Sequence, residues 1–268
     1  MKIFQINAFV GRGCKGNPAA VIPLDKWIND SLMQEIAEEK NLSETAFFVK
    51  NPNDAFEIRW FTPNSEVNLC GHATIATAYV LYEFLGYKKN KITFLSNSGE
   101  LFVRKLDGML ELDFPISKLE KIPFEADLAK ALGEKYYEIY HAGEDILVIF
   151  ENESQIKNLN PDFNLLKLFE KRGIVASAVA NKESEVDFVS RAFFPRLNVN
   201  EDPVCGSAHT YLAPYWSDRL NKNNLHSLQL SKRKGELFCF VANNRVLISG
   251  RCKLFMKGDI VYEAQLFY

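Results

Sequence analysis

The chain has 268 residues, 47% apolar and 25% charged, an ordinary globular composition able to bury a sizeable core without disulfide staples. Its formal net charge of −2 gives no broad attraction to nucleic acid or an anionic membrane. No apolar run approaches the roughly 18 to 20 residues that span a bilayer, and the opening MKIFQINAFV lacks a signal-peptide pattern, so a cytoplasmic setting is expected.

Strand signals dominate the first half. Lys2 to Val10, Ala55 to Phe61, Lys91 to Ser96, Leu101 to Lys105 and Met109 to Asp113 are short, apolar and bounded by turn residues. Gly11, Gly13 and Gly16 have the spacing of a dinucleotide-binding loop, but that loop needs a helix to open at its last glycine. Asn17-Pro18-Ala19-Ala20-Val21-Ile22 follows instead, which predicts a glycine-rich hairpin. Ser31 to Lys40 carries apolar residues at helical spacing, and Asp30-Ser31 with Gln34 resembles an N-terminal cap. His72 to Leu85 is apolar nearly all round, the mark of a helix buried in a core.

The second half repeats the pattern. Ile146 to Phe150, Ile174 to Val179, Val186 to Phe194, Leu237 to Ala242 and Val246 to Ser249 read as strands, and a helix opens near Ser207 with Pro214 inside it to kink or shorten it. SKRKG at Ser231 to Gly235 reads as a solvated turn, or as a local anion contact. FTPNSEVNLCGHA from Phe61 and FFPRLNVNEDPVCGSA from Phe193 share an F-x-P start and a C-G-x-A finish half a chain apart, which suggests an internal duplication. The expected fold is α+β: two pseudo-symmetric halves, residues 1–115 and 116–268, each a curved, mostly antiparallel sheet or barrel around a central helix. Ile116 to Ala131 is the natural link, and the last strand is a candidate to cross back to the first half.

The C-G-x-A segments carry the candidate chemistry. Each sets a glycine at the start of an apolar helix, where unpaired backbone N–H groups and the positive dipole end suit a substrate carboxylate. The titratable groups around them are Cys70 and His72 in one copy, and Glu201, Asp202, Cys205 and His209 in the other. Glu44, in NLSETAF, sits between a helix end and an apolar strand, where a partly closed pocket would suit its carboxylate to proton transfer near neutral pH. The alternatives are a capping carboxylate for Glu44, a core histidine for His72, and buried apolar roles for Cys70 and Cys205.

NLSETAF around Glu44, LCGHAT around His72, EDPVCGSAH around Asp202 and the early GNPAAV resemble, in order and spacing along the whole chain, the signature blocks of the phenazine-biosynthesis PhzF-like isomerases. The resemblance implies the diaminopimelate-epimerase type of fold, with the active site between two halves. It implies Glu44 as general acid/base with His72 and Asp202 as polar partners, and Gly71, Gly206 and Ser207 as donors to a substrate carboxylate. It further implies no metal or organic cofactor, a small carboxylic acid substrate of amino or dihydroaromatic type, and a homodimer.

Other readings stay open. Related epimerases use two thiols, one on each face of the substrate carbon, at the places of Cys70 and Cys205, although they carry Asn where this chain has His72. A Zn²⁺ hydrolase would use Cys70, His72, Cys205 and His209. A Cys70–His72 nucleophilic hydrolase needs a thiol and an imidazole two residues apart to meet, which a turn rarely allows. A non-catalytic homologue that binds a partner protein would have no need of Glu44, His72 and Asp202 together. The five scattered cysteines, Cys14, Cys70, Cys205, Cys239 and Cys252, fit reduced thiols.

Overall fold

The computed structural model describes residues 1–261. In chain order the first ten elements are β1 (Lys2–Val10), β2 (Asn17–Leu24), α1 (Asp30–Lys40), β3 (Glu44–Lys50), β4 (Phe56–Phe61), β5 (Glu66–Val67), α2 (Gly71–Glu83), β6 (Lys91–Ser96), β7 (Gly99–Leu106) and β8 (Met109–Pro115). There follow β9 (Leu119–Lys121), α3 (Ala126–Leu132), β10 (Glu138–Ala142), β11 (Asp145–Ile149), α4 (Glu153–Asn158), α5 (Phe163–Leu166), β12 (Gly173–Val179) and β13 (Phe188–Phe194). The last are β14 (Val199–Asp202), α6 (His209–Leu220), β15 (Asn224–Gln229), β16 (Gly235–Ala242) and β17 (Arg245–Asp259). Two compact units divide the described residues: Met1–Ala8 with Asn17–Leu112 and 250–261, and Phe9–Gly16 with Asp113–Ser249.

In the first unit, β1 pairs antiparallel with β2, β2 parallel with β3, and β3 antiparallel with β4. From β4 the sheet continues parallel to β6, then antiparallel through β7 to β8. β17 pairs with both β8 and β1, so eight strands close on themselves. A closed sheet has no exposed edge and keeps one face of every strand inside. α2 fills that interior: Gly71 through Ala78, Val80 and Leu81 are all buried. Burying Ile75, Val80 and Leu81 stabilises the fold by about 1.5–3 kcal/mol each. Its two threonines are accommodated because their hydroxyls turn back to the helix, Thr74 to the Cys70 carbonyl at 2.6 Å and Thr77 to that of Ala73 at 2.8 Å. α1 packs its Met33, Ile36 and Ala37 on Ala20, Ile22, Phe47 and Phe61. The expected cap of α1 is not the one formed. Asn29 is the N-cap, Asp30 instead pairs with Arg59 at 2.8 Å, and Gln34 donates to the Thr62 carbonyl.

The second unit repeats this pairing strand for strand. β10 is antiparallel to β11, β11 parallel to β12, and β12 antiparallel to β13. β13 then runs parallel to β15, and β15, β16 and β17 follow antiparallel. The short β14 leaves β13 as β5 leaves β4. This shared order and polarity makes the duplication expected from the two C-G-x-A segments a structural fact. α6 is the second central helix, with Tyr211, Leu212, Ala213, Tyr215 and Trp216 buried. Pro214 does not end it. The Thr210 carbonyl, which Pro214 cannot bond, accepts from the Ser117 backbone N–H at 3.1 Å. The stretch read as a link, Ile116 to Ala131, carries β9 and all but the last residue of α3, and α3 packs with α4 and α5 against the core of β11, β12 and β13.

The glycine spacing near the amino terminus is a hairpin, as expected. Gly11 and Cys14 bridge, Gly13 and Gly16 take φ of 74° and 68°, and a strand follows. The basic turn is tied down: Arg233 donates to the carbonyls of Gly16 at 2.8 Å and Lys15 at 3.2 Å. All five cysteines are free thiols. Among the described residues no helix is long and apolar enough to cross a membrane.

Candidate active site

Glu44 is placed by chain geometry. α1 stops at Asn41, whose φ of 46° is left-handed, and three residues later Glu44 opens β3 with Ala19 of β2 as its register partner. Its side chain is one-fifth exposed. His72, the second residue of α2, is buried, and its Nε2 lies 3.1 Å from Glu44 Oε2. The other ring nitrogen, Nδ1, is 3.3 Å from Asn17 Nδ2 and 3.4 Å from Cys70 Sγ. Asn17 is fully buried, and its Oδ1 accepts from Ser43 Oγ at 3.2 Å, which turns the amide nitrogen toward the ring. Nδ1 is therefore an acceptor and the ring proton sits on Nε2, the nitrogen nearer Glu44. Burial pushes His72 down to about 3. At neutral pH the contact is a close approach of an uncharged imidazole to a carboxylate, and not an ion pair.

Cys70 and His72 do meet, against the expectation for residues two apart. Cys70 is the N-cap of α2 with extended φ and ψ of −145° and 106°, so its side chain turns back beside the ring that the first helical turn presents. The thiol, imidazole and carboxylate offer donor atoms within 4.8 Å of one another. The thiol lies at Nδ1 and the carboxylate at Nε2, so the three groups also run in line through the ring. His209 does not complete a metal set: its Nδ1 is 3.0 Å from the Cys205 carbonyl and its Nε2 3.0 Å from Ser227 Oγ, the pattern of a satisfied core histidine.

The second C-G turn is built differently. Gln229 of β15 clamps it, accepting from the Cys205 N–H at 2.8 Å and donating to the Asp202 carbonyl at 2.7 Å, while Ser231 donates to Pro203. Ser207 stands where His72 stands in the first copy, with its Oγ 3.4 Å from Cys205 Sγ. Burial first, and the Asp202 carboxylate second, push the Cys205 thiol up to about 12. Phe9, fully buried at a φ of 60°, is held in a strained left-handed conformation, and a Cβ added at Gly206 would meet its ring at 3.5 Å. Glu201 is occupied: Arg191 grips it with two bonds of 2.7 and 3.1 Å, as Arg59 grips Glu66 with two of 2.7 Å. Each arginine also lies over a phenylalanine, Phe193 and Phe61 respectively.

The repeat is broken where chemistry is concentrated. The registers Thr45↔Phe61 and Ile174↔Phe193 put Gly173 in the place of Glu44. A Cβ at Gly173 would lie 2.1 Å from the Phe194 ring. Only the first unit can carry a carboxylate there. Of the residues singled out in the sequence, Glu44, Cys70, Gly71 and His72 come together in the first unit, and Asp202, Cys205, Gly206 and Ser207 in the second. Gly71 opens α2, and the α2 N-terminus has neither a side-chain cap nor an acidic residue in its first turn. Asn17, Ser43 and Gln229 were missed as site residues. Asn17 lies within the GNPAAV block and Ser43 within NLSETAF, and both had that signal; Gln229 shows nothing in sequence that sets it apart.

The family model for phenazine biosynthesis-like protein, PhzC-PhzF, matches residues 6–258. An uncharacterized isomerase of Pseudomonas aeruginosa is 47% identical over 260 residues, 97% of this chain and 98% of that one. A crystal structure of a PhzF-family phenazine biosynthesis protein from Enterococcus faecalis superposes with a TM-score of 0.92 at 45% identity, covering 97% and 99% of the two chains. A Pseudomonas aeruginosa structure described as a predicted epimerase shares the fold, with a TM-score of 0.77 at 18% identity over 98% and 99%.

Proposed function

We propose that this chain, which belongs to the phenazine biosynthesis-like PhzC-PhzF family and is an isomerase, moves a proton on a small carboxylic acid with Glu44 as its general acid and base. The observation that carries the reading is the 3.1 Å contact between Glu44 and a His72 ring that burial keeps neutral. A neutral ring beside the carboxylate does not lock it in the charged form, as an imidazolium would. Glu44 then takes a proton from the substrate carbon, the electrons pass into the conjugated carboxyl system, and Glu44, whose acid proton exchanges with solvent between turnovers, delivers a proton to another carbon. The uncapped first turn of α2 at Gly71 supplies N–H donors for the charge that develops on the carboxylate. From the family resemblance, Asp202 is proposed as a polar partner that helps orient the substrate, and Gly206 and Ser207 as donors to its carboxylate.

A two-thiol epimerisation is disfavoured by the second thiol. Cys205 faces no imidazole and is pushed up to about 12, so it would rarely be a thiolate near neutral pH. The proposed substrate is an amino or dihydroaromatic acid, and a homodimer and a cytoplasmic setting are part of the same proposal. The test is incubation of the protein in D₂O with a panel of amino, hydroxy and dihydroaromatic acids, with products resolved by mass and chirality. Deuterium gained with migration of a double bond supports the proton shift. Deuterium gained with inversion at one carbon and no migration supports epimerisation instead.

A further inference from the structure

The proposed isomerisation uses Glu44 and His72 but leaves Cys70 without a role, although the structure puts its thiol against the ring nitrogen that Glu44 does not face. The three groups run in sequence: Cys70 Sγ to His72 Nδ1 at 3.4 Å, then His72 Nε2 to Glu44 Oε2 at 3.1 Å. An imidazole conducts a proton by accepting at one nitrogen while donating from the other, without ever becoming a cation. For a ring as deeply buried as His72, that neutral route is the cheaper one.

We propose that Cys70, His72 and Glu44 form one proton wire, in which the thiol stores the negative charge whenever Glu44 is protonated. The inference rests on Glu44 being the acid/base group. In one state the wire reads thiol, Nε2–H imidazole and carboxylate. In the other, the S–H proton has moved to Nδ1 and the Nε2 proton to Glu44, leaving thiolate, Nδ1–H imidazole and carboxylic acid. Both states hold the same protons and one negative charge, so no outside acid or base is consumed. Glu44 can thus present either its base or its acid form to a substrate without exchanging a proton with water.

The fold supplies a place for the stored charge. Cys70 is the N-cap of the 13-residue α2, where the positive end of the helix dipole and the first-turn N–H groups favour a thiolate. No acidic residue stands in that first turn to compete. The paralogous position in the second unit lacks the device: Cys205 has Ser207 Oγ beside it in place of a ring, and Gly173 replaces the carboxylate. Asn17 is part of the wire's setting, since its amide shares Nδ1 with the thiol and favours the state with the ring proton on Nε2 and Glu44 as the base.

The experiment needs no substrate. Native protein, Glu44→Gln and His72→Asn are pulse-labelled at pH 7 with methyl methanethiosulfonate, a reagent small enough for a buried thiol, and Cys70 modification is read by peptide mass spectrometry. The wire requires labelling to fall about tenfold or more in both variants, because the proton has nowhere to go. Simple electrostatics requires the reverse for Glu44→Gln, since deleting a neighbouring negative charge makes a thiolate easier to form. Labelling that rises or stays level in Glu44→Gln, with circular dichroism unchanged, overturns the wire. It leaves the acid/base role of Glu44 intact, because that role is read separately in carbon-bound deuterium. In that second assay Cys70→Ser separates conduction from packing. A serine hydroxyl can donate to Nδ1 but cannot hold the charge, so about tenfold slower exchange supports the wire, and exchange equal to the native protein contradicts it.

Discussion

Asn17→Leu removes one amide and tests how the tautomer of His72 is set. The side chain is fully buried and makes contacts of 3.3 Å to His72 Nδ1 and 3.2 Å from Ser43 Oγ. Both are long, so each contributes toward the lower end of the usual range, about 0.5 kcal/mol. Nδ1 retains the Cys70 thiol at 3.4 Å, and Ser43, half-buried, can take water, so neither partner bears the full penalty of an orphaned buried group. The stability loss should be at least about 1 kcal/mol, seen as a fall in the urea midpoint. The tautomer should respond more strongly, because the amide is what opposes a proton on Nδ1. Nitrogen-15 NMR of histidine-labelled protein should show His72 as the Nε2–H form in the native chain and as a mixture in Asn17→Leu, with deuterium exchange into substrate falling about tenfold, which is the rate equivalent of roughly 1.4 kcal/mol. A native spectrum showing Nδ1–H, or an unchanged spectrum in the variant, would refute this assignment of donor and acceptor.

Three further outcomes follow from the same geometry. Burial pushes His72 down to about 3 and His209 down to about 4, from 6.5 when unfolded. Between about pH 6.5 and 4 the unfolded chain therefore binds a proton at each ring that the native chain does not, and stability should fall as pH falls, by about 1 kcal/mol or slightly more per pH unit for each ring. Urea titrations should show this slope, and His209→Gln should remove about half of it. Gly173→Ala should destabilise the chain by about 2–3 kcal/mol, since the new methyl would lie 2.1 Å from the Phe194 ring and 2.9 Å from the Phe193 carbonyl; thermal melting reads the loss. Cys205→Ser should keep deuterium exchange within about threefold of the native rate, whereas a two-thiol mechanism would lose it by orders of magnitude.

Much of this was legible in the sequence where one interaction dominates. β1 and β6 were expected residue for residue, and α2 was recognisable as a buried helix, because an apolar period is written locally. β10 and β15 were not found. Their pattern is masked by buried polar residues whose partners lie far along the chain: Glu138 meets Lys121 and Tyr215, Ser227 meets His209, and Gln229 meets Cys205. The site divides the same way. Glu44, Cys70 and His72 were visible as unusual residues at turns, but their linear arrangement depends on the extended N-cap at Cys70 and on Asn17, 55 residues from His72. The asymmetry of the duplication, with Gly173 in the place of Glu44, needed strand register, which composition does not carry.

The most direct measurement is carbon-bound deuterium in native protein and Glu44→Gln, side by side in D₂O, with the acid that the panel identifies. Glutamine keeps the shape and the His72 contact but cannot carry the proton. Glu44-centred chemistry predicts that exchange falls by about 10²- to 10⁴-fold while circular dichroism and the urea midpoint stay close to native. Exchange that survives in Glu44→Gln and disappears in Cys70→Ser would contradict it and assign the proton transfer to the thiol.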